Sequence, residues 1–74
     1  MRYAVLFERS EDGYGAYVPD LTGCVTVGDT LAEARNNIRE AIAGHISAIK
    51  EHGEPVLYPT TLVAHIEIRG AIVL

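Results

Sequence analysis

The groups in this 74-residue chain that could do chemistry are ten acidic side chains, three histidines, one cysteine and six Lys or Arg residues. His45 and His52 stand seven residues apart in a helically periodic segment, about 10.5 Å along a helix axis. They cannot share one ion, whose ligands lie about 2 Å from it. His45 falls among apolar positions and reads as a core or interface histidine. His65 and Glu67 share one strand face and read as an exposed polar pair. Cys24 has no adjacent cation to lower its pKa and reads as a buried structural thiol. Ser10, Ser47 and Thr60–Thr61 lie in no strained-elbow motif. Glu11 and Asp12 occupy a turn where water solvates both carboxylates. Gly13-Tyr14-Gly15 and Gly28-Asp29-Thr30 match no nucleotide fingerprint, and Asp29 would repel a phosphate. Glu8, Asp20, Glu33 and Glu67 form no convergent acidic set, since Glu33 is claimed by a helix cap and Asp20 by a loop. The expectation is a non-enzyme with no catalytic, cofactor-binding or metal-binding residues.

The elements that position these groups follow from periodicity. Arg2–Arg9 alternates Tyr3, Val5 and Phe7 against Arg2, Ala4, Leu6 and Glu8, which predicts a strand. Asp12-Gly13 supplies a turn, Tyr14–Val18 returns as a hairpin strand, and Pro19 ends it. After a Pro19–Gly23 loop, Cys24–Val27 makes a third strand. Thr30-Leu31-Ala32-Glu33 fits a capping box that opens a helix over 31–52, with Asp29 favourable at its positive end. Lys50, His52, Gly53 and Pro55 close it. Leu31, Ala34, Ile38, Ala41, Ile42, His45, Ile46, Ala48, Ile49 and His52 share an arc about 160° wide. Glu54–Thr61, with Pro55 and Pro59, is a connector. Leu62–Arg69 alternates again and predicts a fourth strand. The fold class is therefore α+β, in the order β-β-β-α-β, with one long helix on one face of a mostly antiparallel sheet.

At 8.0 kDa the chain makes a single domain, 1–74, that buries roughly 60% of its extended surface. A net charge of −4 disfavours a dedicated nucleic-acid binder. One cysteine and no apolar run of spanning length predict a cytoplasmic protein held by no disulfide and no membrane. One helix covers one sheet face, expected to be that of Val5, Phe7, Ala16, Val18, Ile66 and Ile68. Leu6, Tyr17, Cys24 and Val63 are then left on the other face, and Ile72, Val73 and Leu74 are left without cover. Uncovered apolar surface on so small a domain predicts an interface. Self-association through Leu6, Val63, Ile72, Val73 and Leu74 is expected, as a dimer or tetramer.

The stretch Glu11-Asp12-Gly13-Tyr14-Gly15-Ala16-Tyr17-Val18-Pro19-Asp20-Leu21-Thr22-Gly23-Cys24, continuing through Gly28-Asp29-Thr30-Leu31-Ala32-Glu33-Ala34, resembles the HicB-like antitoxin family. The similarity extends through Asn37, Glu40 and Ala41 to Gly53 and Pro55, about three-quarters of the chain. Thr22 replaces the family's usual proline. No helix-turn-helix or ribbon-helix-helix segment follows the fourth strand, so direct DNA binding is not expected. The resemblance implies a degenerate ribonuclease-H-like fold that covers the active surface of a small basic HicA-type toxin, an mRNA-cleaving protein. Glu8, Glu11, Asp12 and Asp20 are the expected acidic contacts, and Tyr14 and Tyr17 the expected aromatic anchors. The competing expectation is an autonomous oligomeric domain that binds a small ligand or another protein, with no toxin partner.

Overall fold

A computed structural model describes residues 1–70. Strand β1 (Leu6–Ser10) turns at Glu11–Asp12 into β2 (Gly13–Tyr17), and β3 (Val25–Gly28) precedes the helix α1 (Leu31–Glu51). The sheet is antiparallel in the order β1-β2-β3. Its register pairs Leu6 with Tyr17 and Tyr17 with Val25, then Phe7 with Ala16 and Ala16 with Thr26. The expected α+β class, with one long helix on an antiparallel sheet, is observed.

Period-2 alternation divides the sheet into two faces. Phe7 and Ala16 face α1 and join Val18, Leu21, Cys24 and Ile38 in the core, with Tyr3, Val5, Ala41 and Ile42 packed around it. Leu21, 1% exposed, plugs the centre from the loop after β2. Two tight turns hold it there: its amide donates to the Val18 carbonyl at 3.1 Å, and the Cys24 amide donates to the Leu21 carbonyl at 3.0 Å. Those turns carry Cys24 to the core side, where it is 3% exposed, and not to the outer face that uninterrupted alternation predicts. Burial pushes its thiol pKa up, so the sulfur is a packing group.

Helix α1 begins where the capping box places it. The Thr30 hydroxyl accepts the Glu33 amide at 3.1 Å. It ends in a Schellman motif: the Glu54 amide donates to the Ile49 carbonyl and the Gly53 amide to the Lys50 carbonyl, both at 3.1 Å, with Gly53 at φ 70°. Ala34 and Ile38 are buried, while Ala41, Ile42, His45, Ile46 and Ile49 are half-buried. The helix packs on β3 and β2. The Asn37 amide group donates to the Val27 carbonyl at 2.9 Å, which fixes the helix against β3.

The fourth strand expected over 62–69 does not form a ladder among the described residues. The chain there is neither helix nor strand, and Leu62, Ile66 and Ile68 are 94%, 76% and 67% exposed. Ile66 and Ile68 therefore do not lie under α1 with Val5 and Phe7. A strand is defined by its neighbour, and this segment has none within the described chain. Residues 72–74, expected to contribute to self-association, lie outside the described residues.

Candidate protein-binding surface

The outer sheet face is built by the strand register. Leu6, Tyr17 and Val25 form one cross-strand row, and Glu8, Gly15 and Val27 the next. Val25 and Val27 are 65% and 73% exposed, and Tyr17 is 38% exposed. Gly15 leaves bare backbone between the Glu8 carboxylate and the Val27 side chain. The result is an aliphatic and aromatic patch with a carboxylate at its edge. Val25 and Val27 were not among the expected interface residues, although their alternation with Thr26 was the signal that places them outward.

At the hairpin end of the sheet, an open groove of about 470 Å³ runs past Glu8, Asp12, Tyr14 and Asp29. Three carboxylates face a single cation there, the Arg9 guanidinium. Its Cζ lies 5.8 Å from the Tyr14 ring centroid, across the Arg9–Tyr14 pair. Glu11 and Asp12 are exposed at the turn. The tip sits close to the helix start because glycines stand at both contacts. A Cβ on Gly13 would overlap the Gly28 carbonyl oxygen, and one on Gly28 would lie 2.5 Å from the Ala34 nitrogen. The acidic turn, the end of β3 and the negative charge of Asp29 are thereby gathered at one end of the molecule.

The expected contact residues divide by position. Glu8 and Tyr17 share the outer face, Glu11 and Asp12 share the turn, and Tyr14 lies on the opposite face from Tyr17, half-buried beneath Arg9. Asp20 stands apart from all of them. Its carboxylate accepts the amides of Thr60 and Thr61, both at 3.0 Å, and their hydroxyls at 3.1 and 2.8 Å. These bonds, the Thr61 amide foremost, hold the Asp20 pKa below its ordinary value of 3.8. The Tyr3 hydroxyl, donating to the Leu57 carbonyl at 2.6 Å, adds a second attachment of the connector. Of the expected self-association residues, Leu6 lies in the outer row and Val63 is exposed on the extended segment.

Among the described residues, no three His, Cys, Asp or Glu side chains come together as ligands for a metal. No described helix is long and apolar enough to cross a membrane. The geometry offers a surface for another macromolecule: an apolar row, an aromatic side chain and a carboxylate-rich end.

An antiparallel three-stranded sheet with one long helix and an exposed outer face defines a small α+β domain. Residues 3–73 match the HicB_like antitoxin of bacterial toxin-antitoxin system, and the chain belongs to that family. It is 46% identical over 57 residues to the UPF0150 protein Ta0767 of Thermoplasma acidophilum, covering 76% of this chain and 83% of that one. It is also 46% identical over 54 residues to an uncharacterised 14.9 kDa protein of Haemophilus phage HP1. That match covers 73% of this chain but only 41% of the phage protein. Among solved structures, the N-terminal domain of the Burkholderia pseudomallei antitoxin HicB is similar at TM-score 0.71 and 34% identity, covering 78% of this chain and 69% of that one. A chain of the HicA3 and HicB3 toxin-antitoxin complex is similar at TM-score 0.69 and 34% identity, covering 80% and 69%.

Proposed function

We propose that this protein is a non-enzymatic antitoxin that neutralises a small basic HicA-type, mRNA-cleaving toxin by covering its active surface. The observation that carries this reading is the exposed outer sheet face, where Tyr17, Val25 and Val27 stand beside Glu8 and near the acidic turn. Family membership and the similarity to a chain of a toxin-antitoxin complex support it. An aromatic and aliphatic centre edged by carboxylates suits a basic partner: burial holds the complex, and charge directs the encounter. Tyr17 is the central anchor. Glu8, Glu11 and Asp12 are rim contacts, with Tyr14 behind them. Asp20 contributes by holding the connector in place. The protein acts in the cytoplasm, without direct DNA contact, and self-associates as a dimer or tetramer.

Recovery of the partner tests this reading. A tagged chain purified from native cells should bring down a small basic protein whose RNA cleavage ceases in the complex. Recovery of the chain with copies of itself alone would favour the autonomous oligomeric domain. The exposed segment at 62–68 is the observation that supports that second reading.

A further inference from the structure

Helix α1 crosses β3 and β2 and leaves the flank of β1 uncovered. Between β1 and α1 lies a second groove, of about 400 Å³, lined by Val5, Phe7, Ile38 and Ile42, with Arg35 and Arg39. Its floor is apolar: Ile38 is 3% exposed, and Val5 and Phe7 pack against the core. The outer edge of β1 has no strand neighbour among the described residues, so its N–H and C=O groups stand available beside that groove.

The same molecule carries a segment with the complementary features. Residues 62–68 form neither helix nor strand within the chain, and Leu62, Ala64, Ile66 and Ile68, which alternate in sequence, are all exposed. Val63, His65 and Glu67 stand between them. With this alternation, a strand formed here would have one apolar face and would need both an edge for its backbone and a groove for that face. The flank of β1 supplies both.

We infer that residues 62–68 of one copy add as a fourth strand to the β1 edge of a second copy, with Ile66 and Ile68 seated in the groove between β1 and α1. The exchange is reciprocal, so two grooves are filled under a closed two-fold symmetry. It gives physical form to the self-association within the proposed function and does not depend on a toxin.

Two observations support a second copy as the occupant. The base of the arm is pinned by Thr60 and Thr61 to Asp20, in the loop joining β2 to β3, one strand removed from the open edge of β1. Thr60 and Thr61 hold the first residues of the arm at that loop, and the arm beyond them is exposed within its own chain. The surface area also fits. The chain exposes 6211 Å², whereas a compact monomer of this mass exposes about 4,500 Å². The excess, about 1,700 Å² per chain, exceeds the roughly 800 Å² per partner that a standard stable interface buries. A radius of gyration of 15.0 Å, against about 11 Å for a compact chain of this length, reports the same projection.

The test uses the full chain alone, at micromolar concentration, by size exclusion with light scattering. The wild type should have at least twice the monomer mass. A variant carrying Ile66→Glu and Ile68→Glu should fall to the monomer mass with unchanged far-ultraviolet circular dichroism, because these positions are exposed within one chain. Ile42→Cys combined in turn with Ala64→Cys, Ile66→Cys or Ile68→Cys then reports who occupies the groove. At least one pairing should form a covalent dimer under mild oxidation. A covalent monomer would show the chain's own arm in the groove, and no bond in any pairing would show an empty groove. Either result overturns the inference. A double-glutamate variant that associates as well as the wild type would overturn the arm's role and leave self-association standing. A monomeric wild type would remove both.

Discussion

At the scale of single residues, Asp20 shows how one carboxylate can organise a distant segment. It lies 40 and 41 residues before the two threonines that it binds, and it accepts from both their backbone amides and their hydroxyls. Its folded-state pKa is lowered, so the clamp's contribution to stability is complete above the ordinary value of 3.8 and is lost as pH falls through the lowered folded value. Amide exchange at Thr60 and Thr61 should therefore accelerate on acidification, beyond the intrinsic pH dependence of exchange. In Asp20→Asn it should be fast at every pH. Equal protection of both amides in the two proteins would refute the clamp. Thr30 makes a simpler, local contribution, since its hydroxyl accepts the Glu33 amide that would otherwise go unpaired. Thr30→Ala should cost about 1 kcal/mol, read as a lower urea midpoint at unchanged slope. Coincident unfolding curves would show that the cap carries no weight.

At the scale of elements, the tightest constraint is where the hairpin tip, the end of β3 and the first turn of α1 meet. Gly28 is required there by proximity, because its added Cβ would lie 2.5 Å from the Ala34 backbone nitrogen and 2.8 Å from its Cα. Gly28→Ala must push the helix start from the sheet and should destabilise by about 1–3 kcal/mol. Gly44, with open space where a Cβ would stand, should gain helix propensity as alanine, by about 1 kcal/mol. Thermal unfolding of the two variants in parallel checks both signs, and equal midpoints would refute the close approach. The helix was legible in the sequence because its signals are local: Thr30 and Glu33 at one end, Lys50, Gly53 and Pro55 at the other, and apolar spacing between. The hairpin was legible for the same reason. Three features were not. Cys24 turns inward because two loop bonds through Leu21 interrupt the alternation that fixes sidedness. The Asp20 clamp joins residues too distant in sequence to leave a pattern. Residues 62–68 alternate as a strand does, but alternation names a face and not a neighbour, and the neighbour decides whether a ladder forms.

At the scale of the whole molecule, two surfaces remain after folding: the outer sheet face and the flank of β1. They lie on different sides of the molecule, so a partner on the first leaves the second free. On the proposed reading, the outer face and acidic end meet the toxin. Neutralising the turn with Glu11→Gln and Asp12→Asn should slow association and flatten its salt dependence, because these carboxylates are exposed and act at long range. Tyr17→Ala should instead speed dissociation, since an anchor is lost from the centre of the patch. Surface plasmon resonance at two ionic strengths separates the two effects, and identical rate constants for both variants and the wild type would place the contact elsewhere. The most direct measurement is RNA cleavage by the small basic protein recovered with this chain, titrated with the purified chain. Cleavage should fall to background at stoichiometric addition, with no cleavage by this chain alone and incomplete suppression by Tyr17→Ala. Undiminished cleavage in the presence of excess chain would contradict the antitoxin reading.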